Sequence, residues 1–128
     1  HDIGKLRIPI VGILDSNCDP DLVDFNYAAE GYDLTLIIAL AAAKAGDDGI
    51  AYASEIQGIT RDGEKCTTFA DCMAMIDAGT DIDYDGPSGP QTFGPEGEPT
   101  EASFQILSYD ENNSVYGEIA IEYRFAKI

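Results

Sequence analysis

The sequence predicts a small layered α/β domain, and three patterns predict it. A nearly continuous apolar run sits near the start, Ala-rich stretches with helical spacing follow, and the last third alternates apolar and polar residues. A short apolar run closed by turn residues reads as a strand buried on both faces, helical spacing as layers that cover it, and period-two alternation as a sheet with one buried face. At 128 residues the chain has room for a single domain, residues 1–128.

The first element expected is a strand at residues 8–14, IPIVGIL, ended by Asp15, Ser16 and Asn17 and then by Asp19, Pro20 and Asp21. Pro9 suits the beginning of a strand, where its missing donor costs least. A helix follows on Tyr32, Leu36, Ala39, Leu40 and Ala43, ending before Gly46, with Asp33 in its first turn, where the dipole favours an anion. A second helix is expected over residues 49–56, stopped by Gly58, and a third over residues 69–76, closed by Gly79. Strands at residues 102–109 and 114–125 then flank the polar turn Asp110 to Asn113 and form a C-terminal hairpin. In the second of these, Val115, Ile119, Ile121, Tyr123 and Phe125 make the expected buried face.

Charge narrows the function classes. The chain has 24 acidic residues against seven Lys or Arg, a formal net charge of −17. Such a surface repels phosphate backbones and anionic membranes, so no nucleic-acid partner is expected. No apolar run reaches the ~20 residues that span a bilayer, so no membrane insertion is expected either. With His1 rather than Met in first place, the numbering is expected to be that of a trimmed or excised product.

Enzymatic function is not expected. The single histidine is His1, at a terminus, so neither a serine nor a cysteine nucleophile has a well-held base. Cys18 has no evident cation to lower its pKa, and neither a phosphate loop nor a dinucleotide fingerprint occurs. Asp81, Asp83 and Asp85 before Gly86 match the opening of a calcium loop, but its twelfth position is Thr92, where a bidentate Glu is needed. A structural turn leading into a strand is the reading taken for that stretch. Asp15, Asp19 and Asp21 beside Cys18 read as a solvated acidic turn rather than a Mg²⁺ site. No metal and no cofactor are therefore assigned.

Three cysteines give an odd count. A bridge between Cys66 and Cys72 closes a small loop and stabilises by roughly 2 kcal/mol on the loop-entropy view. Two cysteines are too few for a structural zinc site, so the disulfide is favoured. Cys18 is left over as a free thiol.

Two family resemblances meet in one loop. IPIVGILDSNCDPDLVD, within residues 1–24, resembles the strand-and-loop segment of ribosomal protein S2. From about residue 19 to residue 113, FNYAAEGYDLTLIIALAAAKAG, DGEKCTTFADC, AGTDIDYDGPSGP and FGPEGEPTEASFQI resemble, in order and spacing, the C-terminal part of a periplasmic solute-binding protein of the branched-chain amino acid type. The larger resemblance implies a non-enzymatic, extracytoplasmic receptor that closes two lobes around an amino acid and feeds an ABC transporter. It also implies that Tyr27, Glu30 and Tyr32, in the loop before the YD helix, lie near hinge and cleft and are the candidate ligand contacts. Against that stands a plain reading of these three as a solvated loop with a packing tyrosine. A complete family member is about three times longer, so half a clamp with weakened affinity is expected. The smaller resemblance implies a ribosomal context, which the acidic surface opposes, and the two families together leave the localisation unknown.

The expectation is thus a chimeric or engineered domain without catalytic or transport activity, residues 1–24 being S2-like and residues 25–128 receptor-like. The alternative is a truncated receptor lobe that keeps weak affinity for a small amino acid. Exposed sheet edges would favour a homodimer, by edge pairing or strand exchange.

Overall fold

The computed structural model describes residues 27–46, 49–106, 109–113 and 122–127. The expected strand at residues 8–14, its acidic loop with Asp15, Asp19 and Asp21, and Cys18 lie outside the described residues, and so do residues 114–121 of the last expected strand.

Helix α1, Ala28–Ala45, is the longest of the described elements. It begins four residues earlier than the apolar spacing suggests, with Tyr27 as a left-handed N-cap (φ 61°). Gly46 ends it in the left-handed conformation (φ 67°), its N–H reaching the carbonyls of Ala42 and Ala43. Its buried stripe is Asp33, Ile37, Leu40 and Ala41. That is a one-residue rotation from the expected Tyr32, Leu36, Ala39, Leu40 and Ala43, because a carboxylate occupies the inward face. Asp33 accordingly lies in the second turn and inside the protein, not in the first turn as expected.

Helix α2 is one turn, Ala51–Glu55, shorter than expected. Strand β1, Glu64–Cys66, helix α3, Phe69–Asp77, and strand β2, Ile82–Gly86, form a minimal βαβ unit in which β1 and β2 run parallel. Thr68 caps α3, its hydroxyl accepting from the Asp71 N–H at 3.2 Å. The two-residue strand β3, Gly89–Pro90, pairs antiparallel with β2, giving the order β1-β2-β3. The stretch with Asp81, Asp83 and Asp85, expected as a turn, is therefore for the most part the central strand of this sheet. Three carboxylates at alternate positions mimic a loop motif, while Ile82 and Tyr84 between them are wholly buried.

Strands β4, Glu101–Ile106, and β5, Glu122–Lys127, make a separate antiparallel pair in which Ser103 faces Phe125 and Phe104 faces Arg124. This is the C-terminal hairpin of the α/β fold. The expected burial of Phe125 does not occur; it is 57% exposed. The core lies between α1 and the three-stranded sheet, built on Ile37, Leu40, Ala41, Ile59, Cys66, Cys72, Ile82 and Tyr84. Cys66 and Cys72 are joined as a disulfide across β1 and α3.

Candidate functional site

The strongest concentration of polar groups forms where α1 crosses the turn between β2 and β3. The helical stripe carries Asp33 inward, and the alternation of β2 sends Tyr84 to meet it. The Tyr84 hydroxyl donates to Asp33 Oδ1 at 2.8 Å, and the Ser88 N–H donates to Oδ2 at 2.7 Å. The Ser88 hydroxyl donates to the same Oδ2, and Gln91 Nε2 donates to Ser88 Oγ at 2.6 Å. Asp33 and Tyr84 have no exposed surface. Burial pushes the Asp33 carboxyl above its ordinary range; the bonds from Ser88 and Tyr84 oppose that, and nearby Glu30 adds to it. Burial and the same carboxylate hold the Tyr84 hydroxyl protonated well above the usual tyrosine range.

Gly86 makes this approach feasible. A β-carbon there would stand 1.9 Å from Asp33 Oδ1 and 2.5 Å from the Tyr84 hydroxyl, so no side chain fits.

A second polar centre lies on the same sheet. Lys65 of β1 reaches Asp83 Oδ2 at 2.8 Å and Asp85 Oδ2 at 2.9 Å, bridging two carboxylates that point to one face of β2. Partial desolvation disfavours the ammonium, but its bonds to both carboxylates outweigh that and raise its pKa. Among the described residues, the buried Oδ1 atoms of Asp83 and Asp85 have no hydrogen-bond partner. A second cation, Lys44, holds Asp81 at 2.6 Å and Glu55 at 3.7 Å beside an open hollow of about 240 Å³ lined by Ile76, Gly79 and Thr80. Among the described residues, no group of three or more His, Cys, Asp or Glu is arranged to hold a metal ion. No described helix is long and apolar enough to cross a membrane.

The three residues that the receptor resemblance points to lie around the N-terminal end of α1. Tyr27 is 81% exposed and Tyr32 47%, and Glu30 is exposed between them. Glu30 and Tyr32 are two positions apart on a helix and so project in nearly opposite directions. Tyr32 and Glu30 border the buried cluster, adding to the fields felt by Tyr84 and Asp33 respectively. Neither Ser88 nor Lys65 stands out in the sequence, and Asp33 does so only through the helix dipole. Chemically, the Asp33 cluster has its donors and acceptors turned on one another, so it works as a latch.

No family model matches the chain, and no solved structure matches it. Curated proteins that match include small ribosomal subunit protein uS2 from several bacteria. The protein from Nocardioides sp. is 95% identical over 21 residues, 16% of this chain and 7% of that protein. That from Streptomyces griseus is 41% identical over 66 residues, covering 48% of this chain and 21% of the relative. That from Rhizobium rhizogenes is 44% identical over 57 residues, 42% of this chain and 22% of the relative. The chain thus spans less than a quarter of the length of these relatives, and the matches support its S2-like part. The 66-residue match is longer than the 24 residues on which the S2 resemblance rests.

Proposed function

We propose that this chain is a composite α/β domain that folds but carries no catalytic or transport activity. The observation that carries the reading is the Asp33 cluster: the most heavily bonded polar group of the described fold is consumed by Tyr84 and Ser88, with no exposed surface at Asp33. A group so satisfied holds α1 on the sheet and offers a substrate nothing. The Lys65 and Lys44 ammonium groups are similarly taken up by carboxylates. The S2-like part brings a ribosomal relative into view, but with a net charge of −17 the chain repels RNA, and no nucleic-acid partner is proposed.

A second reading is favoured by the exposed Tyr27, Glu30 and Tyr32 together with the receptor resemblance. On that reading the end of α1 keeps weak affinity for a small amino acid. Melting the full chain with and without millimolar leucine, isoleucine, valine and other amino acids separates the two, because a ligand that binds only the folded state raises the melting temperature. The composite-domain reading predicts a cooperative melt that ignores every amino acid. A ligand-dependent rise that Tyr32→Ala or Glu30→Ala removes would replace it with the receptor reading.

A further inference from the structure

The Cys66–Cys72 bond ties the last residue of the three-residue β1 to the fourth residue of the nine-residue α3. Strand β1 is also tied to β2 by Lys65, which bridges Asp83 and Asp85, whereas α3 has only a thin apolar face of its own. Cys72 is the sole buried residue of α3, while Met73, Met75 and Ile76 pack only partly against the core and Phe69 is 40% exposed. A helix of this length does not sustain itself in water, even with its Thr68 cap. Strand β1 has three parallel pairs with β2, Glu64 to Ile82, Lys65 to Asp83 and Cys66 to Tyr84. The helix is also the crossover of the βαβ unit, so its docking fixes how β1 reaches β2.

We infer that the docking of α3 is conditional on this disulfide, so that the βαβ unit is complete only in oxidising surroundings. A dithiol reductant delivers two electrons and two protons, the S–S bond becomes two thiols, and the dithiol closes to its own disulfide. Cys72 then remains the sole buried anchor of a nine-residue helix, without its covalent partner. Compartments that keep thiols reduced, as the cytosol does, would hold the chain in that state, and extracytoplasmic ones would not.

Amide hydrogen exchange on the full chain, oxidised and after reduction with dithiothreitol, tests this, with alkylation of all three cysteines verifying complete reduction. The loop-closure effect of so short a ring corresponds to about a 30-fold loss of protection at residues 70–77. That loss, alone or with wider opening, and its reversal on reoxidation are the expected result. The Cys66→Ala, Cys72→Ala double variant should show the same exposed α3 without reductant. Unchanged protection of α3 in the verified reduced chain would overturn the inference.

Discussion

The α1–sheet contact and the C-terminal hairpin solve the same problem with different means. Where α1 meets β2, a charged residue lies at the centre, and burial is complete because each oxygen of Asp33 has a donor. In the hairpin the ladder is regular from Glu101–Lys127 to Ile106–Glu122, yet Phe104 is 54% exposed and Phe125, on the other face, 57%. Apolar composition and strand pairing do not by themselves make a core. A two-stranded ribbon is marginal alone and needs a covering layer. Two polar contacts tie the start of β4 to the preceding segment: Thr92 Oγ1 bonds Glu101, and the hydroxyl of Thr100, just before the strand, donates to the Thr92 carbonyl at 2.9 Å.

The sharpest way to break the comparison is Gly86→Ala. The new methyl would occupy the place of Asp33 Oδ1, so the latch must open, and denaturant melts should show a loss of about 3–5 kcal/mol. Asp33→Ala should cost about 3 kcal/mol, because it leaves the buried Tyr84 hydroxyl and the half-buried Ser88 N–H without an acceptor. By contrast, Phe125→Ser in the hairpin should cost less than about 1 kcal/mol on the same melts. Gly31→Ala is the smallest effect and has the opposite sign. Gly31 is exposed within α1 with nothing near its missing β-carbon, so alanine should stabilise by about 0.5–1 kcal/mol.

The pH dependence sharpens the account from another side. Asp33 has a raised pKa in the folded state, so the folded chain binds this proton more tightly than the unfolded one. The stability this group contributes is therefore fully present below the unfolded carboxyl range, near pH 4, and is lost as pH rises through the folded value. The stability difference between the wild type and Asp33→Asn should shrink over that interval in melts at stepped pH. A difference that grows with pH would show the carboxylate to be favoured by its donors beyond the cost of burying it.

Much of the architecture was legible from the chain, and the exceptions share a cause. Gly46 and Gly79 marked the ends of α1 and α3 because the left-handed turn after a helix favours glycine. The hairpin was legible from alternation around residues 110–113. The register of α1 was misread by one position because hydrophobic spacing has no place for a buried carboxylate. Strand β2 reads as a turn in the sequence because Asp83 and Asp85, whose charges Lys65 takes up, look like loop residues. Both misreadings arise where a polar side chain is buried with a partner distant in sequence. Ser88 is 55 positions from Asp33, and no local pattern announces that pair. Tyr27, Glu30 and Tyr32 were singled out by resemblance, which carries no information on how a helix turn spreads them.

A double-mutant cycle between Asp33→Ala and Tyr84→Phe tests the central claim, that the polar cluster is a latch on which the fold depends. Stability of the wild type, both single variants and the double variant would be measured by denaturant unfolding. The latch predicts a coupling of about 1–2 kcal/mol between the two sites. Additive losses would contradict it, meaning that the 2.8 Å contact between them holds nothing together.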